Sequence, residues 1–345
     1  MRTLIFTNYN CYLATHEAFK LSVLKKWADE FEFDVFVRVS DNVPIDKHQY
    51  PNFYFSSVRP DNISLKLQIA EAVKKSKPKK VVNFLEKFFP FHLVEYDAER
   101  IYFVRSCAKK LLKVLLNYAG SSTHSAIAID KYTELAKTEG NLLNTSDRII
   151  TTSPNSKLAL MEEYGLDSEI CLEYIDPSKY NTLPLGTSSK IVYNIGRRDF
   201  QKGLHLIKTP TATEFLSVGV AHVGKDECIA ENIKKIGLLE FDQYKSLIQD
   251  CIYGIFPCIW ESNGYTVQEC LAMGKIPVVQ SKSGGNERFC NPNNSIIVDF
   301  DRGNFDWEEC ILSNSKTKEM QEAARETIEY SKHRKSLEQF IKIIK

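Results

Sequence analysis

Two cations and two carboxylates in this chain stand at spacings suited to handling a phosphate ester beside hydroxyl groups. The first segment is Gly196-Arg197-Arg198-Asp199-Phe200-Gln201-Lys202-Gly203. It begins where a strand-like run ends, and it closes on a second glycine at the expected start of a helix. Glycines let the backbone approach a ligand, a helix start offers N–H groups, and Arg197 and Lys202 bring two positive charges. A diphosphate leaving group gathers negative charge as its bond breaks, and such a cradle meets that charge. The same residues also compose an ordinary turn with a solvated Arg and Lys.

The second segment is Glu261-Ser262-Asn263-Gly264-Tyr265-Thr266-Val267-Gln268-Glu269. It follows a strand that ends at Pro257, and a helix is expected from about Thr266. Glu261 then sits in the loop and Glu269 one turn inside the helix, so both can face one cleft. Carboxylates accept hydrogen bonds from pairs of hydroxyls, which suits a sugar ring and a ribose diol. A loop glutamate and a helix glutamate on the surface would look the same. The third segment, Ile276 to Glu287, is a buried strand followed by Ser283-Gly284-Gly285. Its glycines either present N–H groups to a ligand or make a turn.

The elements that must position these residues alternate. In the first half, strands are expected at Thr3–Thr7, Asp34–Val39, Phe53–Ser56, Lys80–Leu85, Ile101–Val104, Arg148–Thr152 and Ile170–Tyr174. Helices are expected at Glu17–Phe31, from Ser64 to Val73, and at Lys109–Leu116, Asp130–Leu143 and Ser156–Tyr164, from apolar residues at helical spacing. Residues 182–189, with Pro184, Gly186 and Ser188-Ser189, read as a linker. The alternation then restarts, with strands at Lys190–Ile195, Glu214–Val220, Tyr253–Pro257 and Ile276–Gln280. Helices are expected at Gly203–Ile207, Glu227–Lys235, Phe241–Gln249 and Thr266–Met273, then at Glu319–Tyr330 and Ser336–Ile344 near the end. Two successive α/β alternations imply two doubly wound domains with parallel sheets, at 1–181 and 190–330. Residues 331–345 form a terminal helix whose apolar Phe340, Ile341, Ile343 and Ile344 would pack back on the first domain. Ligands of such sheets bind beyond the carboxyl ends of the strands, here in a cleft between the domains.

Composition is that of a globular chain: 345 residues, 43% hydrophobic and 26% charged, with 45 Lys plus Arg against 44 Asp plus Glu. Disorder, collagen and coiled coil are excluded on that balance. The neutral total hides a local excess, because residues 64–116 carry 12 basic and 5 acidic side chains, a net of +7. Contact with an anionic surface, either a bilayer carrying a lipid-linked acceptor or the DNA backbone, is one reading of that stretch. A solvated helix end is the other. The nine cysteines include no Cys-x-x-Cys and no zinc spacing, and several sit in apolar strings. They read as buried, reduced thiols of a cytoplasmic protein. No signal-peptide core or membrane-length apolar window is present, so peripheral membrane attachment is the most a membrane role would need.

Taken in order, the three segments resemble the second domain of GT-B glycosyltransferases, in particular the retaining glycosyltransferase family 4. The likeness runs over roughly residues 145–300, while 1–144 fit by element order. Asp147 to Ser153 is similar to that family's strand ending in serine, and Tyr174-Ile175-Asp176 to its interdomain passage. Glu261 and Glu269 match its E-x7-E motif, and Gly274, Pro277 and Gly284-Gly285 match the usual sequel. The resemblance implies two Rossmann-like domains facing a cleft, and retaining transfer from a nucleotide sugar, most simply a UDP- or GDP-sugar. It implies that Arg197 and Lys202 neutralise the departing diphosphate. Glu261 would bind the hydroxyls of the transferred sugar and Glu269 those of the ribose. Gly196 and the backbone of Gly264, Tyr265 and Thr266 would contact sugar and phosphate. No tightly bound cofactor and no metal is implied.

The chain departs from the family in places. Ser262-Asn263-Gly264 stands where Gly-Phe-Gly is usual, so an amide replaces a phenyl ring. Asn8-Tyr9-Asn10-Cys11-Tyr12 lacks the glycines usual after the first strand. Arg105 and Ser106 occupy the place of a histidine after a later strand, and Arg105 suits an anionic acceptor or a structural ion pair. His124 and His16 lie in polar segments that either enter the cleft or stay on the surface. The run from Tyr265 to Val278 is also faintly similar to phage enzymes that glucosylate hydroxymethylcytosine in DNA. The acceptor is therefore expected to be an envelope glycan or lipid-linked sugar, or a hydroxymethylated DNA base. A nucleotide-sugar epimerase on the same fold and a non-catalytic binding module are the competing readings.

Overall fold

The computed structural model describes residues 2–6, 34–38, 79–85, 99–104, 107, 109–110, 133–134, 136–180, 183–198, 202–219, 232–261, 263–300 and 306–344. Arg105, Ser106, His16, His124, the strand expected at Phe53–Ser56 and the helices expected at Glu17–Phe31 and after Ser64 lie outside them. The chain divides into two compact units, Met1–Glu173 with Lys335–Lys345, and Tyr174–Arg334. Residues 183–187, expected as linker, lie in the second unit and lead straight into a strand.

The first unit is built on a sheet of β1 (Arg2–Phe6), β2 (Asp34–Arg38), β3 (Lys80–Leu85), β4 (Glu99–Val104), β5 (Arg148–Thr151) and β6 (Glu169–Ile170), in spatial order β2-β1-β3-β4-β5-β6. Every described pairing is parallel. Ile101 to Val104 are fully buried, as expected of a central strand in a sheet covered on both faces. Helix α1 (Pro154–Tyr164) is set by its ends. The Ser153 hydroxyl accepts from the Ser156 N–H, Pro154 fills the first turn, and Gly165 stops the helix at φ 69°. The expected strand Ile170–Tyr174 shortens to the two-residue β6, because only Ile150 and Thr151 of β5 offer it a partner.

The second unit holds β7 (Ser188–Ile195), β8 (Glu214–Val218), β9 (Ile233–Ile236), β10 (Cys251–Phe256), β11 (Ile276–Gln280) and β12 (Ile296–Val298). Their order, β12-β11-β10-β7-β8-β9, is all parallel and reverses direction between β7 and β10. Alternate residues feed two cores. Val192, Phe215, Ile255 and Val278 enter one, and their successors Tyr193, Leu216, Phe256 and Val279 enter the other. Burial of both faces is what makes these strands read as continuous apolar runs. Trp307, edge-on to Phe215 at 5.8 Å, is fully buried and anchors the first core. Such a side chain contributes on the order of 2–3 kcal/mol through burial.

The other named helices are α2 (Phe241–Ile248), α3 (Tyr265–Ala272), α4 (Trp307–Leu312), α5 (Thr317–Thr327) and α6 (Tyr330–Ile344), and residues 136–143 are helical within the range expected at Asp130–Leu143. The end of one expected helix is overturned: Ile233-Lys234-Lys235, the last residues of the helix expected at Glu227–Lys235, lie in strand β9, while 227–231 lie outside the described residues. Asn232 stands at φ 67°, a left-handed conformation that a right-handed helix cannot pass through, and Ile233 then pairs with Phe215. From Lys335 onward α6 belongs to the first unit. There Phe340 meets Phe103 edge-to-face at 5.6 Å, and Gln339 donates to the Ile170 carbonyl at 2.9 Å.

Candidate functional site

The site residues collect where the strand order reverses. β7 and β10 are neighbours at the centre of the sheet, and the Asn194 amide donates to the Ile255 carbonyl at 2.7 Å, bracing the two ends together. In a doubly wound sheet this reversal opens a crevice beyond the strand ends. Gly196 and Arg197 leave β7 at that point, and Glu261 follows β10.

The tandem arginines separate. Arg198 is buried, and its guanidinium donates to the carbonyls of Gly219 at 2.7 Å, Ile236 at 3.1 Å and Ser217 at 3.4 Å. It ties the ends of β8 and β9. Arg197 is half-buried, and its positive charge reaches Lys202, where it opposes that side chain's protonation.

Lys202 is held in place by the glycine after it. Gly203 has φ +71°, and a Cβ there would lie 2.0 Å from the Pro257 carbonyl oxygen, so the backbone packs directly on the end of β10. The Lys202 stem passes Gly196, and its ammonium pairs with the Glu261 carboxylate, each side chain about one-sixth exposed (17%/17%). Burial alone would make Lys202 less basic. The adjacent Glu261 charge outweighs that and pushes its pKa above the usual lysine value. The helix expected from Gly203 is a single 3-10 turn, Leu204–Leu206. A turn that short adds almost no dipole, so the cationic character here belongs to Arg197 and Lys202.

Glu261 is fixed from three sides. Its N–H donates to the Ser283 carbonyl at 2.7 Å, and its own carbonyl accepts from the Gly285 N–H at 2.5 Å. The Cys258 sulfur lies 3.7 Å from its Oε2, with the thiol closer to the Trp260 carbonyl at 3.2 Å. The third segment therefore braces Glu261, and the Gly285 N–H is committed to protein. Gly264 has φ +66°, and a Cβ there would come within 2.6 Å of Asn286 Oδ1. No other residue type fits that turn without moving Asn286. Tyr265 then opens α3, with Thr266 half-buried in its first turn and no side chain capping it.

Glu269 lies on α3 and is 9% exposed. Burial pushes its pKa up to about 7, against an opposing hydrogen bond from the Tyr180 hydroxyl to Oε1 at 3.2 Å. Gln268, beside it, accepts from the Ile175 N–H at 2.9 Å and donates to the Asn263 carbonyl at 3.2 Å, which seats the helix. The second unit thus brings together Gly196, Arg197, Lys202 and Glu261 around one strand junction, with Gly264, Tyr265, Thr266 and Glu269 on the loop and helix that follow. Sequence reasoning passed over Tyr180 and Cys258, since a tyrosine in Pro177-Ser178-Lys179-Tyr180 has no spacing that marks it. Among the described residues no three His, Cys, Asp or Glu side chains converge as metal ligands, and no helix is long and apolar enough to cross a membrane. Seven described cysteines are free, six of them buried.

No protein-family model matches the chain, and no curated protein matches it in sequence. Solved structures do. Sucrose-phosphate synthase from Thermosynechococcus elongatus superposes with a TM-score of 0.68 at 13% identity, over 99% of this chain and 98% of that one. The fold is GT-B. Trehalose-6-phosphate synthase, analysed for glycosyl transfer with retention, has the same architecture at a TM-score of 0.62 and 10% identity, over 100% and 99% of the two chains. HepE of Anabaena, solved with UDP-glucose, follows at 0.55 and 12% identity over 99% and 100%. At these identities the likeness establishes architecture, and the described residues of the three segments 196–203, 261–269 and 276–287 lie in the second unit.

Proposed function

We propose that this protein is a retaining glycosyltransferase of the family 4 type, moving a sugar from a nucleotide-sugar donor to an acceptor hydroxyl. The observation that carries the reading is the Lys202–Glu261 pair at the β7–β10 reversal, with Arg197 beside it and Glu269 one helix turn beyond. A binding module would not need all four of these side chains, and an epimerase on the same fold is told apart by its conversion of the donor with no acceptor present. Arg197 and Lys202 meet the charge on the diphosphate as the bond from sugar C1 to phosphate oxygen breaks; the acceptor oxygen takes its place on the same face of C1, and the acceptor's hydroxyl proton passes to the departing phosphate oxygen. Charge stabilisation of this kind is the largest single contribution available to a phosphate-leaving reaction, and two fixed cations supply it without a metal. Glu269 accepts the ribose hydroxyls, and Glu261 those of the transferred sugar. The complex of HepE with UDP-glucose supports a UDP-hexose as the first donor to try.

The acceptor is a hydroxyl on an envelope glycan or lipid-linked sugar, and the basic stretch at 64–116 supports a surface or substrate bearing negative charge. The deciding experiment screens UDP-, GDP-, CMP- and ADP-sugars for thermal stabilisation. It then follows transfer from the best donor into membrane extracts and into hydroxymethylated duplex DNA. Transfer abolished in Lys202→Ala and Glu269→Ala, both folded, supports the reading. Full activity in both variants overturns it. Conversion of the donor with no acceptor present identifies an epimerase instead, and labelled DNA with unlabelled extract moves the acceptor to DNA.

A further inference from the structure

Tyr180 sits between two parts of the second unit that the function above does not connect. Its hydroxyl donates to Glu269 Oε1 at 3.2 Å. Its ring stands edge-on to Phe241, the first residue of α2, with centroids 5.3 Å apart and planes at 87°. Phe241 is 37% exposed, and the Lys245 ammonium lies 4.7 Å from its ring centre. An aromatic pair therefore runs from the surface at the start of α2 to the buried carboxylate on α3. Tyr180 itself comes from the 3-10 turn after Pro177, where Asp176 caps Ser178 at 2.9 Å and fixes the entry of the chain.

We propose that Tyr180 is a positioning residue of the donor site, holding Glu269 in the orientation and ionisation state in which it accepts the two ribose hydroxyls, with Phe241 as the buttress of its ring. This rests on the donor reading given above. Glu269 has one job there: as a carboxylate it accepts, and as a carboxylic acid it loses half of that capacity. Burial favours the acid form, and the Tyr180 hydroxyl favours the carboxylate. The other titratable groups of this core, of which Tyr244 feels the Glu269 charge, do not compete near neutrality. Tyr244 of α2 and Tyr193 of β7 are held well above the ordinary tyrosine range by burial, and burial pushes Cys270, the next residue of α3, up to about 12. Arg325 of α5 lies at the far end of the helix, on the Met273 carbonyl.

The test is Tyr180→Phe, which keeps the ring and removes the hydroxyl. Two measurements separate this inference from the donor reading. Without nucleotide, the difference in the pH dependence of Tm between a protein and its Glu269→Gln counterpart reports Glu269. In Tyr180→Phe the midpoint of that difference moves upward by about one pH unit, the effect of one hydrogen bond to a charged group. With UDP, binding is followed by calorimetry between pH 6 and 8. Wild-type protein releases a proton on binding at pH 6, seen as a heat that varies with the buffer's ionisation enthalpy. Tyr180→Phe binds about tenfold more weakly at pH 7 and regains affinity as pH rises. Phe241→Ala moves both readouts in the same direction by less. An unchanged midpoint and unchanged affinity in Tyr180→Phe overturn the positioning role. A moved midpoint in a protein that binds none of the four nucleotides keeps the Tyr180–Glu269 link and overturns the donor assignment.

Discussion

The Lys202 ammonium and the Glu261 carboxylate, 59 positions apart in the chain, form one ion pair across the β7–β10 junction. The pair joins the two motifs that carry the proposed chemistry. Each charge is mostly withdrawn from water, and each is the other's main compensation.

Breaking that pair from one side should therefore cost more than removing it whole. Lys202→Met and Glu261→Gln are each expected to destabilise by about 1–3 kcal/mol, because each leaves a half-buried charge without its partner. The double variant should lie well below the sum of the two. Urea unfolding measures the three differences. Transfer should be lost in all three, so the double variant separates the catalytic loss from the structural one. Additive destabilisation would mean that solvent already screens the pair.

Arg197 and Arg198 should respond in opposite ways. Arg198→Ala leaves the carbonyls of Ser217, Gly219 and Ile236 without their shared donor. That should cost on the order of 2–4 kcal/mol, with turnover per folded molecule retained. Arg197→Ala should lower Tm by less than Arg198→Ala does and reduce kcat/KM by two orders of magnitude or more, the scale for removing one charge-stabilising donor. Thermal unfolding and steady-state kinetics on the pair of variants decide it. A fall in Tm for Arg197→Ala with normal kinetics would exchange the two roles.

The separation of those arginines also marks how far the sequence could be read. The parallel sheets were legible because strands buried on both faces, such as Cys251–Phe256 and Ile276–Gln280, leave continuous apolar runs. Glu261 and Glu269 were legible as a spaced pair after such a run. What no spacing conveys is the path of a side chain over a long sequence separation. Glu261 meets Lys202 and Gly285, and Glu269 meets Tyr180 from 89 positions away. Strand β9 was misread for a related reason. Ile229 and Ile233 are four apart, a helical spacing, and the left-handed Asn232 that forbids a helix through Ile233 is visible only in the backbone.

The C-terminal residues should contribute to the first unit's stability. Phe340 is 3% exposed and packs on Phe103, and the Arg148 guanidinium donates to the Ile343 carbonyl. Phe340→Ala is expected to cost about 3–5 kcal/mol, the range for a buried phenyl ring. Ending the chain at Arg334 should cost more, since Ile341 and Ile343 leave the same core. Calorimetry should show the loss in unfolding of the first unit, while UDP binding to the second unit persists. A truncated chain with an unaltered melting profile would show that residues 335–345 carry no stability.

Glu269 should hold function and stability in opposition. Its folded pKa, about 7, lies above the ordinary 4.5, so between those values the folded protein holds a proton that the unfolded chain has lost. The associated stability is complete below about pH 4.5 and is lost as pH rises through 7. The ligand-free protein at pH 8 thus carries a buried carboxylate at a cost on the order of 3 kcal/mol. Glu269→Gln removes the charge and keeps the shape. It should raise Tm at pH 8 by several degrees, have little effect at pH 5, and weaken UDP binding by tenfold or more through loss of a charged acceptor. Thermal melts at the two pH values, with and without UDP, test both halves. A lower Tm at pH 8 would mean that the Tyr180 hydrogen bond outweighs the burial of Glu269, and the carboxylate would then be a stabilising group that happens to line the site.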